Sequence, residues 1–129
     1  ARCPVTIAQM HGLRDPAGKA DTAARLVQAE RFKGMIRAAS RPGDAVVAAG
    51  DFNVLPGSVT LRRLGDLGLT DLVTGRGHTD TRTSHYRKEP RYADYLLVND
   101  RVRVDEFAVV AQPEVSDHRP LMLDFVSAT

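Results

Sequence analysis

The most constraining feature of the sequence is a run of five apolar residues, Ala45 to Ala49, followed at once by Gly50-Asp51-Phe52-Asn53. A strand that is apolar on both alternating faces must be covered on both sides, which is typical of a central strand in a layered α/β arrangement. Ligands of open α/β sheets usually bind at the C-terminal ends of such strands. We therefore predict a buried strand over 45–49 and a candidate site in the loop over 50–57.

The segments around this run predict a mixed sheet with helices on one face. Apolar alternation predicts a first strand over 4–10. Apolar residues at spacings of three and four then predict a helix after the turn-rich loop 12–19, with Asp21 as its N-cap. Ser58 is expected to begin a short second helix, and residues 65–82 are expected to be irregular and exposed. Further strands are predicted over 93–98, over 102–111 with a break inside it, over 121–126, and near 83–86.

Length and composition fit one folded domain, residues 1–129. The hydrophobic fraction of 43% and the charged fraction of 26% are close to the globular average, which excludes a disordered or collagen-like chain. No stretch approaches the roughly 18 apolar residues of a membrane span. The net charge of +2 is too small to indicate nucleic-acid binding by itself. Because strand alternation begins at Pro4, we expect the sequence to be a portion of a longer protein.

Three short segments carry polar side chains with possible chemical roles. In extended backbone Asp51 and Asn53 would point the same way, toward one phosphate or one metal-bound water, although turn formation is the more common role of these residue types. Asp117 and His118 could divide cation binding from proton transfer, or lie in a solvated loop. Asp94 lies between aromatic residues at the start of an apolar strand. If buried it needs a partner, and a histidine is the natural one.

Other polar residues near these segments favour a structural interpretation when taken alone. His11 ends the first strand, where a histidine is more often solvated than catalytic. Arg14 and Lys19 follow in a loop, where solvation is the more common state and phosphate binding the alternative. For Tyr86 we favour packing in the core or at a rim.

The order of these segments resembles that of the endonuclease/exonuclease/phosphatase superfamily, which includes exonuclease III-like and deoxyribonuclease I-like enzymes. The matching features are a strand ending at His11, the Gly50-Asp51-Phe52-Asn53 turn, Asp94-Tyr95-Leu96-Leu97, and Ser116-Asp117-His118-Arg119-Pro120-Leu121. They span nearly the whole chain. The resemblance implies an α+β fold whose mixed β-sheet has helices on one face. It would be the second, C-terminal half of a four-layer α/β/β/α sandwich.

The resemblance also implies a divalent-metal-dependent phosphodiester hydrolase, with Mg²⁺ or Mn²⁺ as the cofactor. In the family pattern Asp51 orients or deprotonates the attacking water, and Asn53 holds the scissile phosphate. His118 stabilises the pentacovalent phosphate, Asp94 orients His118, and His11 contacts the phosphate.

Further residues are expected to contact the metal and the substrate. The resemblance places the metal at Asp117, with Asp51 as a second ligand. We assign substrate contacts to Arg91, Arg14 and Tyr86, although Arg91 lies three residues before Asp94 where many family members place an arginine two residues before it. The substrate would be a phosphodiester, with nucleic acid among the candidates.

The first half of the family fold normally supplies an Asn and a metal-binding Glu, and no Glu of this sequence lies in a matching motif. We therefore expect weak Mg²⁺ binding, and self-association through the exposed sheet face where that half is absent. Two alternatives stay open. The chain could be a non-catalytic binding or assembly module that keeps family residues. The enzyme could instead be a small-molecule or lipid phosphoesterase rather than a nuclease or general phosphodiesterase.

Overall fold

A computed structural model describes residues 3–128 as a four-stranded mixed sheet, three helices and a separate two-stranded ribbon. In the sheet the strands follow the order β1-β2-β4-β3, with β1 parallel to β2 and the other pairs antiparallel. This architecture confirms the predicted α+β class. The elements are β1 (Val5–Gln9), α1 (Ala23–Ala39), β2 (Ala45–Asp51), α2 (Val59–Gly65), β3 (Thr70–Asp71), α3 (Leu72–Gly75), β4 (Asp94–Val98), β5 (Val102–Val109) and β6 (Leu121–Ser127).

The central strand β2 continues two residues beyond the predicted strand. It pairs with β1 on one side and with β4 on the other, and its first four residues are buried. Because β2 and β4 are antiparallel, the C-terminal end of β2 lies beside the start of β4. The register places Asp51 directly opposite Asp94. Strand pairing alone therefore brings two carboxylates to one end of the sheet.

Helix α1 begins one residue later than predicted. The Thr22 side chain, rather than that of Asp21, accepts the N-terminal cap hydrogen bond, from the Arg25 N–H. The Asp21 carboxylate instead accepts from the Val59 N–H at 3.0 Å and so ties the start of α1 to the first turn of α2. Of the predicted apolar face, Ala29, Phe32 and Ile36 are buried, whereas Leu26 is half-buried and Ala39 is exposed. Arg25 is buried as well.

The segment 65–82 is ordered and partly buried, which corrects the sequence prediction. Its two-residue strand β3 pairs with the edge of β4, and Asp71 caps α3 by accepting from the Val73 and Thr74 N–H groups. Elements this short show no periodicity, so their apolar residues gave no strand or helix pattern. Buried side chains from this segment include Leu69, Leu72, Val73, Thr81 and Arg82.

The last two strands form their own ribbon because both edges of β4 are already paired, with β2 and β3. The predicted break in β5 is a register shift between Val104 and Glu106. The short strand predicted near 83–86 does not form among the described residues. An isolated antiparallel bridge joins Arg82 to His118 instead.

The helices cover one face of the sheet, and the opposite face is partly open. Ala8 of β1 is buried toward the helices, whereas its neighbour Ile7 is 63% exposed on the other side. Between this open face and β6 lies a groove of about 370 Å³, which no helical residue lines. The apolar residues of the groove are Ile7, Val47, Ala49, Leu96, Leu121, Leu123 and Phe125.

None of the described helices is long and apolar enough to cross a membrane.

We expect Gly50→Ala to lower the free energy of unfolding by about 2 kcal/mol or more. A Cβ at Gly50 would lie 2.1 Å from the Met10 carbonyl oxygen, and the backbone φ is +149°. Urea unfolding followed by circular dichroism measures the change. The matched control is Gly34→Ala in α1, where a Cβ meets nothing within 4 Å. That change should raise stability by roughly 0.5–1 kcal/mol. Equal unfolding midpoints for Gly50→Ala and the wild type would contradict the close approach.

Candidate functional site

Four separate segments of the chain meet beyond the C-terminal end of β2. They are the loop after β1, the turn after β2, the start of β4 and the loop before β6. The first, second and fourth of these segments, together with Arg25 and residues of 82–90, surround a cavity of about 590 Å³, whereas the start of β4 does not line it. His11, Asp51, Asn53, Asp117 and His118 all line it. The predicted site residues from three of the segments therefore face one space.

A hydrogen bond between Asp94 and His118 lies at the centre of the site. The His118 Nδ1 is 2.8 Å from one Asp94 carboxylate oxygen and 3.0 Å from the other. Asp94 is buried, and this burial raises the pKa of its carboxyl while the hydrogen bond with His118 opposes the shift. The histidine partner that the sequence argument required for Asp94 is thus present. Thr81 supports the pair, because its hydroxyl oxygen accepts from the backbone N–H groups of Ala93 and Asp94.

The imidazole of His118 stands between two carboxylates. Its Nε2 is 3.5 Å from Asp51 Oδ2, on the side of the ring opposite Asp94. The Nε2 of His11 lies 3.7 Å from the same Asp51 oxygen, and the His11 side chain is 80% exposed. Asp51 therefore lies within reach of two histidines, one held in the site and one at its solvent edge.

Arg82 contacts the free side of the His118 ring, and sequence reasoning did not identify it. Its Nη1 is 2.8 Å from His118 Nε2 and 3.3 Å from Asp117 Oδ2. A guanidinium has donors only, so Nε2 accepts this hydrogen bond and the imidazole proton lies on Nδ1, facing Asp94. The Arg82 Cζ lies 3.8 Å from the centroid of the Tyr86 ring. Because Asp117 and His118 lie 35 and 36 residues further along the chain, no local pattern marked this arginine.

Asn53 reaches the cavity by a turn and not by strand alternation, which corrects the predicted geometry. Its φ of 52° is left-handed, a conformation that asparagine tolerates better than most residues. The Asn53 backbone N–H donates to Asp51 Oδ1 at 3.1 Å, and its side-chain amide donates to the Gly12 carbonyl at 3.1 Å. The loop after β1 and the turn after β2 are therefore joined at Asn53.

The loop after β1 brings basic side chains to the cavity. Arg14 is exposed at its edge, in agreement with a solvated loop residue. Lys19 is half-buried and donates to the Tyr92 carbonyl, which corrects the expectation of a solvated side chain. Burial, and to a lesser extent the charge of Arg82, lowers the pKa of Lys19. Lys19 is therefore part of the wall of the site.

The buried side chain of Arg25 fixes the path of this loop. Its guanidinium donates to the carbonyl oxygens of Ala20 at 2.7 Å, Gly18 at 2.8 Å and Leu13 at 3.2 Å. Three carbonyls of one loop thus converge on a single side chain of α1. The loop is held in place by the helix that follows it.

Arg91 lies away from the cavity wall, which corrects its predicted contact with substrate. Its Nε donates to Asp80 at 3.1 Å, and its other nitrogens donate to the carbonyls of Thr83 and Tyr86. These bonds hold the loop 80–86 against the start of β4. Tyr86 itself lines the cavity, beneath the guanidinium of Arg82.

The oxygen donors of the site suit a hard divalent cation, although not through the tightest cluster of side chains. Among residues 3–128, Asp51, Asp94 and His118 offer ligand atoms within 4.8 Å of one another. In that cluster the Asp94 carboxylate and His118 Nδ1 already bind each other. The carboxylates of Asp51 and of the half-exposed Asp117 line the cavity together with those of Asp15 and Glu89, and carboxylate oxygen is the donor type that Mg²⁺ and Mn²⁺ prefer. The chemistry of these donors therefore suits such an ion.

Comparisons with solved structures agree with this fold. The fold of the chain is similar to that of an endonuclease/exonuclease/phosphatase family protein from Bacteroides thetaiotaomicron, with a TM-score of 0.60 and 17% identity over 94% of this chain and 49% of that one. The human Nocturnin catalytic domain, solved with a bound sulfate anion, gives a TM-score of 0.57 and 17% identity over 96% of this chain and 46% of that one. The chain thus spans about half the length of each.

Sequence comparison reaches the same family. No curated protein sequence is a significant match to the chain. Residues 11–118, which include every segment of the site, match the model of a single family. The chain belongs to the Endonuclease/Exonuclease/phosphatase family.

Proposed function

We propose that this site acts in divalent-metal-dependent hydrolysis of phosphodiesters, in a nuclease or general phosphodiesterase. Family membership supports phosphoesterase or nuclease activity in general. The observation that carries the proposal is the imidazole of His118 held by Asp94 on one side and facing Asp51 and the cavity on the other. Such an arrangement directs Nε2 toward the cavity, where it accepts from Arg82 in the free chain and can take up a proton and then donate to a phosphoryl oxygen.

Each side chain has a role that its position permits. Asp51 is the group that would orient and deprotonate the attacking water, with His11 at the solvent edge of the same carboxylate. His118 Nε2, once protonated, would donate to the phosphoryl oxygens and support their developing charge, while Asp94 accepts from Nδ1 and keeps the ring oriented. The Asn53 amide has a second N–H beyond the one bound to Gly12, which could hold the scissile phosphate.

A divalent cation would be held by Asp51 and Asp117. When bound, such an ion supplies charge stabilisation to a phosphoryl group. With two protein carboxylates an Mg²⁺ ion keeps several of its waters, so its affinity for this chain should be low.

The cavity favours recognition of the phosphodiester backbone over recognition of a base. Among the described residues that line it, Tyr86 is the one Phe, Tyr or Trp side chain, and Arg82 covers a face of its ring. Stacking of a base therefore has little support, whereas Arg14, Lys19, Arg82 and Lys88 offer positive charge. Backbone recognition is compatible with nucleic acid and with smaller phosphodiesters.

We expect hydrolysis of bis(p-nitrophenyl) phosphate that requires Mg²⁺ or Mn²⁺ and that falls by about 100-fold or more in Asp51→Asn and His118→Ala. Release of p-nitrophenol measures the rate. Asp105→Asn on β5 and the exposed His85→Ala are the matched controls and should keep wild-type rates. Turnover that survives in both site variants would contradict the assigned roles. Absence of turnover in the folded wild type would favour a non-catalytic binding module.

Asp94→Asn should raise the melting temperature at pH 7, because the burial that raises the Asp94 pKa makes its ionised form a cost to folding. The cost is absent below the pKa of 3.8 that Asp94 has in the unfolded chain. It grows as the pH rises from 3.8 toward the raised pKa of Asp94 in the folded chain. The gain should therefore shrink when melting is measured at pH 4. The asparagine still offers an oxygen to His118. A melting temperature that falls, or a gain equal at both pH values, would contradict this sign. Asp105→Asn is the control.

We propose further that the open face of the sheet drives self-association when nothing else covers it, as a two-fold dimer. Ile7→Lys should shift sedimentation toward monomer at micromolar concentration, because it places a charge beside the apolar groove. Val27→Lys on the outer side of α1 is the matched control, since Val27 is 50% exposed and outside the groove. A wild-type chain that sediments as a stable monomer would refute this proposal.

A further inference from the structure

Arg82 is a buried arginine whose hydrogen bonds are incomplete. The residue is 5% exposed, and its Nε is buried with no hydrogen-bond partner among residues 3–128. Its one carboxylate contact is Asp117, whose side chain is 50% exposed. A buried donor without a partner is unfavourable by about 1–3 kcal/mol. The position of this guanidinium therefore suggests a ligand that the chain does not itself provide.

The position of Arg82 relative to His118 indicates which ligand that is. Its Nη1 occupies the hydrogen-bonding site of His118 Nε2 at 2.8 Å. Any phosphoryl oxygen that binds Nε2 must take this place, and it would then lie in contact with the displaced guanidinium. A planar guanidinium presents paired donors that match phosphate oxygens.

Two other buried or half-buried cations at the cavity are already engaged. Arg25 donates to three loop carbonyls through both of its terminal nitrogens, although its Nε is also buried without a partner among the described residues, and Lys19 donates to the Tyr92 carbonyl. The bonds of Arg82 to His118 and Asp117 are both made by Nη1, and its guanidinium carbon lies 3.8 Å from the centroid of the Tyr86 ring. Arg82 is thus the cation that is both closest to His118 and least satisfied.

We propose that Arg82 binds the phosphoryl group of the substrate, and that in the free chain it occupies the place of that group beside His118. On binding, its N–H donors transfer from His118 Nε2 and Asp117 to phosphoryl oxygens. The released Nε2 then takes up a proton from solvent and donates to the same phosphoryl group. This inference rests on the proposed phosphodiesterase function and adds a specific substrate contact to it.

The test is titration with inorganic phosphate in the absence of metal, followed by two-dimensional ¹H–¹⁵N NMR. The wild type should bind phosphate saturably, with a shift of the Arg82 Nε–H signal, which is assigned by its loss in Arg82→Lys. Binding should weaken about tenfold or more in Arg82→Gln. Arg82→Lys should weaken it several-fold, because lysine keeps the charge but not the paired donors. Arg103→Gln, an exposed arginine on β5, is the control and should bind as the wild type does.

Phosphate binding by folded Arg82→Gln within twofold of the wild type would overturn the inference, and so would the absence of saturable binding by the wild type. If Arg82→Gln does not fold, Arg82→Lys decides, and wild-type affinity in that variant would overturn the inference.

Hydrolysis by the same proteins separates this inference from the proposed function. Binding that depends on Arg82 without metal-dependent turnover would refute the hydrolase and leave the phosphate contact in place. Turnover with an unchanged KM in Arg82→Gln would refute the contact and leave the hydrolase in place.

Discussion

The pairing of β2 with β4 is the constraint on which the site depends. It sets Asp51 opposite Asp94, and like charges directly opposite each other on paired strands repel. His118 enters between the two carboxylates from the loop before β6 and binds the buried one. His118, 24 positions after Asp94 in the chain, supplies the hydrogen-bond donor that the buried Asp94 carboxylate requires. The strand pairing that forms the sheet therefore also positions the side chains of the site.

The remaining parts of the site are held by backbone groups instead of by exposed ion pairs. Arg25 gathers three carbonyls of the loop after β1, Asn53 joins that loop to the turn after β2, and Thr81 fixes the start of β4. Such bonds are made inside the protein, where solvent screens them little. They leave the charged groups Asp51 and Arg82 facing the cavity. A phosphoester substrate would therefore meet side chains that are already oriented.

Patterns of local origin were predictable from the sequence. The run of apolar residues in β2, the amphipathic face of α1 and the need of Asp94 for a partner all depend on neighbouring residues, and each agrees with the structure. The family order of the motifs supplied the residues that the fold brings together. Without the order of the motifs, the residue types of Asp51 and Asn53 predicted an ordinary turn and not a functional site.

Features that depend on distant contacts were not predictable. Strand β3 has two residues, and a strand that short forms only because β4 offers an edge. Arg82 is buried through His118 and Tyr86, and the half-burial of Lys19 depends on Tyr92. Arg91 was assigned to substrate by motif, yet Asp80 and two carbonyls occupy its guanidinium. Side chains of arginine and lysine are long enough that their tertiary partners, and not their sequence positions, decide their role.

The central claim is that Asp94 holds His118 as the Nδ1-protonated tautomer, with an unprotonated Nε2 on the cavity side of the ring. A long-range ¹H–¹⁵N spectrum of the imidazole groups at neutral pH tests it most directly, with His118 assigned by its loss in His118→Ala. We expect a protonated Nδ1 and an unprotonated Nε2, and an Nδ1 resonance that moves in Asp94→Asn. A ring that is protonated on Nε2 instead, or whose signals do not respond to Asp94→Asn, would contradict the account.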